Sequence, residues 1–238
     1  MLLNIYTRRQ NLNHLPYLSP RLRTVASFVQ AGRTIADVGT DHAYLPVWLV
    51  GSGQSPSAVA SDVRNGPLER AAHTVAQYHM EDRVQLVLSD GLSDANVQEI
   101  VIAGMGGELM TRILAQSAPY KTDQHFILQP MTMQSLLHDY LCRNGFSLER
   151  EDVAVEGKKH YLIISARPGG KTFVPDPLFC ITGILPKTGG QHTASYLFWQ
   201  AKRLYRKAQG LCHSKEHAEE AEKWMDLACR VEQIAKRI

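Results

Sequence analysis

Cysteine is scarce in this chain of 238 residues and badly spaced for cross-linking. Cys142, Cys180, Cys212 and Cys229 are scattered, with no Cys-x-x-Cys pair. A disulfide-knit or zinc-knit scaffold is therefore not expected, and a reducing, cytoplasmic setting fits. His213 and His217 stand at helical spacing beside Cys212, but no fourth ligand accompanies them, so no metal is expected. No apolar run approaches the roughly 18 residues that span a bilayer. The first ten residues, MLLNIYTRRQ, lack both a long apolar stretch and a small-residue cleavage site, so neither export nor a membrane partner is expected. Charge of one sign is also lacking: 26 Lys and Arg against 23 Asp and Glu leave a formal +3. That balance permits a nucleic-acid partner without requiring one. There is no internal repeat, no low-complexity tract and no G-x-G-x-x-G.

What is there begins with alternation. TIADV (34–38), SAVASD (57–62), RVQLVL (83–88), EIVIAG (99–104) and HFILQP (125–130) read as five strands. Helical stretches lie between them: YLPVWLVGS, GPLERAAHTVAQYHM, GELMTRILAQS and TMQSLLHDYLCRNG, the last stopped by Gly145. FSLEREDVAVE and KHYLIISARP follow with only GKK between them, an antiparallel hairpin at the sheet edge. Five parallel strands plus a terminal hairpin make an α/β, Rossmann-like sheet of the class I methyltransferase kind rather than the plain dinucleotide fold. LSPRLRTVASFVQAG (18–32) is a helix entering the first strand, with Ser19 as N-cap and Pro20 at its first position.

RPGGKTFVPDP (167–177) is rich in breakers and marks a boundary. Beyond it Leu197, Ala201, Leu204, Ala208 and Leu211 step by four and three, as do Ala221, Trp224, Ala228, Val231, Ala235 and Ile238. Two such helices form an antiparallel, coiled-coil-like hairpin. The expected organisation is a leader (1–17), a methyltransferase-like domain (18–168) and a helical, coiled-coil domain (169–238).

In a doubly wound sheet, ligands bind beyond the carboxyl ends of the strands, where the strand order reverses. Asp37, Gly39, Asp41 and His42 follow the first strand, Asp62 ends the second, and Asp90 and Gly91 follow the third. Ala103 and Gly104 end the fourth, and Gln129 and Pro130 the fifth. Asp62 lies near the spacing at which an acid holds a ribose hydroxyl pair. The first turn, however, reads GTDHAY, without the glycines a pyrophosphate needs, and its carboxylates would repel one. A ligand with adenine and ribose but no phosphate reconciles these features. S-adenosylmethionine is such a ligand, and its sulfonium and ammonium groups are attracted by carboxylates. Asp90 would then accept from the adenine amine.

LSPRL, ADVGTDHAYLP, SDVRNGPLERA, SDGL, IAGMGGELM and ILQPM occur in this order over residues 18 to 165. They resemble the bacterial tRNA (adenine-N1)-methyltransferase family that modifies adenosine 22 in the D-arm region. GKKHYLIIS and the helical tail continue the resemblance. One departure is Met131, where the family carries Asn after Gln-Pro and so offers the base an amide that a thioether cannot. The resemblance implies tRNA as partner and cofactor contacts from Arg21, Gly39, Asp41, His42, Asp62, Asp90, Gly91, Ala103 and Gly104. Adenine N1 already has an in-plane lone pair, so no general base is needed. The ring becomes cationic as it is methylated, and Asp41 is the expected catalytic residue, accepting from N6 and stabilising that charge. Gln129 and Pro130 are expected at the target base. Tyr44 and Tyr17 are the candidates to stack on it, but buried helix packing is the role expected of Tyr44. For His42 a structural role at the turn or toward Asp41 is expected.

The tail carries KRLYRK, with Lys202, Arg203, Arg206 and Lys207 around Tyr205. Residues 200–238 hold nine Lys or Arg against six Asp or Glu. With a polynucleotide substrate this becomes an RNA-gripping surface, which Lys158, Lys159, Arg167 and Lys171 extend. A monomer or weak homodimer is expected. The alternatives are methyl transfer to another RNA or a small molecule, and a non-catalytic RNA-binding protein keeping a vestigial cofactor fold.

Overall fold

The computed structural model describes residues 14–92, 97–212 and 217–238. His213 therefore lies outside the described residues. Helix α1 (Pro20–Phe28) starts where the sequence places it: the Ser19 hydroxyl accepts from the Leu22 N–H and Pro20 occupies the first turn. Then β1 (Ile35–Val38), α2 (Tyr44–Gly51), β2 (Ala58–Asp62), α3 (Asn65–Gln77) and β3 (Val84–Leu88) alternate. They are followed by β4 (Glu99–Gly106), α4 (Gly107–Gln116), β5 (His125–Thr132) and α5 (Gln134–Arg143). Gly145, at φ 69°, ends α5 as expected. The hairpin is β6 (Phe146–Glu156) and β7 (Lys159–Pro168).

The seven strands lie in the order β3-β2-β1-β4-β5-β7-β6. β1 to β5 are parallel, and β7 joins β5 antiparallel through Phe126↔Ala166 and Leu128↔Ile164. The order reverses between β1 and β4, which opens a crevice at their carboxyl ends. The register also fixes the hairpin's direction. Its tip, with Lys158 and Lys159, stands at the crevice end, while Arg167, opposite Ser147, stands at the far end. Lys158 and Lys159 therefore do not share a surface with Arg167, which is engaged by Glu149 (3.0 Å) and the Asp123 carbonyl (3.3 Å). Alternation along a strand identifies its faces but not which end meets a ligand.

Strands buried on both faces read as apolar runs because helices cover each side. On one face Val25, Leu45, Val47 and Ala71 from α1 to α3 pack on Val101, Ile127 and Ile163, and Leu15 joins them. On the other, Met110 and Leu137 from α4 and α5 pack on Ile102, Leu128 and Leu162. This second core runs on through Leu185 and Tyr196 into the C-terminal helices.

Within RPGGKTFVPDP the strand ends at Pro168. Two short helices absent from the sequence reading follow: α6 (Pro177–Thr182) and α7 (Leu185–Thr188). They are fastened from beneath. The buried Glu151 of β6 accepts from the backbone N–H of Ile184 (2.8 Å) and Leu185 (2.9 Å), and pairs with His138 of α5 (2.6 Å). The other ring nitrogen of His138 meets the Cys180 carbonyl at 2.9 Å. Burial by itself opposes the charged imidazole, but Glu151 and that carbonyl outweigh it and raise the His138 pKa.

Helices α8 (Thr193–Leu211) and α9 (Ala218–Ala235) form the hairpin. Leu197, Ala201, Leu204 and Ala208 meet Ala221, Leu227, Ala228, Val231 and Ala235 in a buried seam. Leu211 and Trp224 are only half-buried. Ile238 lies past the helix end, 55% exposed, and is not part of the seam.

Candidate active site

Two tight turns meet at the point of strand reversal. After Val38 the chain leaves β1 through Gly39 at φ 78°, where a Cβ would collide with the Met105 methyl. Facing it, Gly104 adopts φ 85° within β4. The Thr40 hydroxyl accepts from the Ala43 N–H (3.2 Å), and Ala43, at φ 52°, caps α2. These turns enclose a cavity of about 330 Å³, at the small end of the range for ligand sites. Its walls are Arg21 and Leu22 of α1, Asp37 of β1, Gly39 to Ala43 of the turn, Tyr44 and Leu45 of α2, and Ala103 and Gly104.

Asp37 is 8% exposed. Burial raises its pKa from 3.8 to about 6, against the opposing effects of the Thr40 hydroxyl and the Arg21 guanidinium. A carboxylate so placed gains from any cation that enters beside it. Arg21 is held from three sides. Its backbone N–H donates to Glu156 Oε1 (2.7 Å), its Nη1 donates to Gln129 Oε1 (2.7 Å), and its guanidinium lies 5.7 Å over the Tyr161 ring. The cavity therefore offers one fixed guanidinium and two carboxylates, Asp37 and Asp41. That set suits a small zwitterion with additional positive charge, and opposes a pyrophosphate.

Asp41 stands at the mouth, its side chain 61% exposed. Arg70 of α3 donates to its Oδ1 through Nε (3.0 Å) and Nη2, and His42 Nε2 lies 3.6 Å from Oδ2. The His42 ring stacks on Tyr44, with centroids 5.1 Å apart and planes 5° from parallel. Tyr44 is 41% exposed at the start of α2. Packing within a helix face is thus not its role: as the first helical residue, it projects from the rim.

Arg21, Gly39, Asp41, His42, Tyr44, Ala103 and Gly104 therefore come together around one cavity. Asp62, Asp90 and Gly91 are on the same rim but outside its wall. Asp62 Oδ1 accepts from the Arg64 N–H (2.8 Å), and Asp90 is exposed. Gln129 and Pro130 are buried rather than open to a base. Beside its bond to Arg21, the Gln129 amide donates to the Pro130 carbonyl (3.1 Å). Met131, 42% exposed, is the first residue of that segment to reach solvent. Sequence reasoning noted Asp37 as a flanking acid but did not count it among ligand contacts. It missed Arg70 and Thr40 altogether.

Lys202, Arg203, Arg206 and Lys207 are all exposed on α8. Arg203 lies 4.7 Å over the Trp199 ring and Lys207 3.5 Å over that of Trp224. A larger hollow of about 590 Å³ on α9, around Trp224, Leu227 and Arg230, meets no strand end, and its charged residues are exposed. Among the described residues, no group of three or more His, Cys, Asp or Glu is disposed to hold a metal, and no helix is long and apolar enough to cross a membrane.

Residues 18–164 match the model of the methyltransferase domain family. A Bacillus subtilis tRNA (adenine(22)-N(1))-methyltransferase is 31% identical over 172 residues, 71% of this chain and 72% of that protein. The crystal structure of a Streptococcus pneumoniae candidate tRNA (m1A22) methyltransferase superposes with a TM-score of 0.82 at 30% identity, covering 92% of this chain and 100% of that one. In complex with S-adenosyl-L-methionine, the pneumococcal protein superposes at 0.77 and 31% identity, covering 91% and 100%. The chain belongs to the methyltransferase domain family and, within it, to the family of the tRNA (adenine(22)-N(1))-methyltransferases.

Proposed function

We propose that this chain transfers a methyl group from S-adenosylmethionine to N1 of an adenosine in tRNA, at position 22 of the D-arm region. The observation that carries the reading is the cavity at the strand reversal, where a buried acid of raised pKa and a braced arginine face each other. Related proteins that bind S-adenosylmethionine and act on tRNA support it. The cofactor supplies a methyl group on a cationic sulfur. Arg21 binds its carboxylate, Asp37 and the Gly39 and Gly104 turns receive its ammonium end, and Asp62, Asp90 and Gly91 take the ribose and adenine. Gln129 acts through Arg21 by fixing its guanidinium.

Adenine N1 needs no base to expose its lone pair, so the protein's task is alignment and charge. Asp41, at the mouth, accepts from N6 and stabilises the ring as it becomes cationic. Tyr44, already stacked on His42, extends an aromatic surface for the base. N1 is a pairing atom, so the adenosine enters unpaired or extruded. Lys202, Arg203, Arg206 and Lys207, with Lys158 and Lys159 at the hairpin tip, hold the phosphates, which makes residues 169–238 the RNA-holding unit. The protein then works where tRNA is, in the cytoplasm, as a monomer or weak homodimer.

The test is incubation with methyl-labelled cofactor and tRNA, followed by nucleoside analysis. Label in 1-methyladenosine is expected, with Asp41→Ala slower by about 100- to 1,000-fold in kcat. Label in another nucleoside would overturn the substrate assignment, and an unchanged kcat would overturn that of Asp41.

A further inference from the structure

The two helices of the C-terminal hairpin have opposite characters. Across its nineteen residues α8 carries four bases and no acid, whereas α9 carries five acids and two bases. On the outer face of α8, Phe198 is 42% exposed. Lys202 and Arg206 follow at i+4 and i+8, so the three side chains form one row. Both cations are exposed. In the neighbouring row Arg203 covers the Trp199 ring, and Ser195 meets His160 of β7 at 3.1 Å. His160 adjoins Lys159 at the hairpin tip, so the row starts at the end of the sheet that holds the cavity.

One exposed apolar side chain needs no explanation. An aromatic ring in line with two cations, on a helix without an acid, is a different object. Single-stranded nucleic acid is held by this pairing, with bases stacked on rings and phosphates on cations. Acids would repel such a partner, and α8 has none.

We propose that Phe198 is a stacking platform for an unpaired nucleotide of the bound RNA, with Lys202 and Arg206 on the flanking phosphates. This rests on the reading of tRNA as substrate and adds a base contact to it. Stacking and phosphate contacts differ in their response to salt. Counterion release gives each phosphate contact a slope, whereas stacking gives none.

Binding of fluorescently labelled tRNA is to be followed by anisotropy across a potassium chloride series. Phe198→Ala should weaken binding by about 5- to 150-fold, as loss of one stacked base does, with the parent's salt slope. Phe198→Tyr should restore parent affinity. The double variant Lys202→Gln/Arg206→Gln should weaken binding and lower the slope by about 1.4. Undiminished binding by Phe198→Ala, or a fall in its slope equal to the double variant's, would overturn the proposal. Unchanged S-adenosylmethionine binding and circular dichroism exclude misfolding, and failure of Phe198→Tyr to restore affinity would also count against stacking. The substrate reading fails separately, if the parent protein places no methyl group in tRNA.

Discussion

Buried carboxylates are treated in two ways in this molecule. Beneath the C-terminal helices Glu151 is sealed and its oxygens are used: His138 on one side, two backbone N–H groups on the other. At the amino end of β4, Glu99 is held through one oxygen, Oε2, by His125 (2.7 Å) and the Gln30 N–H (3.1 Å), while Oε1 has only the Arg33 guanidinium, 3.7 Å away. Asp37 is almost as buried, yet it has a hydroxyl and the field of Arg21 in place of an ion pair, and it faces a cavity. The difference separates structure from function. A carboxylate whose partners come from the protein fastens elements together. One left facing an open space carries a desolvation cost that a cationic ligand relieves.

The sharpest way to break the comparison is at Glu151. Glu151→Ala leaves His138 without its counter-ion and two N–H groups without an acceptor. A loss of about 3–5 kcal/mol is expected in urea unfolding, with S-adenosylmethionine affinity of the folded fraction unchanged. Asp37→Asn should behave in the opposite way. The cofactor-free protein should gain up to about 3 kcal/mol at pH 8, since roughly two pKa units of desolvation are relieved, while cofactor affinity falls about 10- to 100-fold for loss of one charge-assisted contact. Calorimetric titration and unfolding on the same samples check both.

A third consequence follows from pH. Asp37 has a folded pKa of about 6 against 3.8 unfolded, so the folded state binds more protons in that window. Its contribution to stability is present below 3.8 and is lost as pH rises through about 6. Binding of a cation needs the ionised form, so parent affinity for S-adenosylmethionine should fall as pH drops below about 6, approaching tenfold per unit, while Asp37→Asn shows no such step. The smallest effect is expected at Gln129. Gln129→Ala removes one brace from Arg21 and should raise the cofactor Kd by a few-fold, with kcat at saturation nearly unchanged.

The sequence displayed one side of this comparison better than the other. All five parallel strands and the hairpin were legible because β-branched runs bounded by turns have few other uses, and Gly39 and Ser19 announced their turns. Only part of the cavity wall was legible: Gly39, Asp41, Ala103 and Gly104 converge because β1 and β4 are parallel neighbours, whereas Arg21 of α1 came from the family resemblance and Asp62, Asp90 and Gly91 lie outside the wall. Pairings across long separations were not: nothing in FSLEREDVAVE marks Glu151 as the partner of His138, and nothing in SDVRNGPLERA joins Arg70 to Asp41. Side-chain periodicity reports faces, not partners. For the same reason Arg167 was grouped with Lys158 though the hairpin holds them at opposite ends, and α6 and α7, of six and four residues, are too short to show a helical period.

The most direct test of the account is primer extension on tRNA after incubation with this protein and S-adenosylmethionine. A methyl group on N1 blocks the pairing edge, so reverse transcription should stop one nucleotide before position 22, and the stop should vanish when the cofactor is omitted. Methyl incorporation with read-through at that position, or a stop elsewhere, would contradict it.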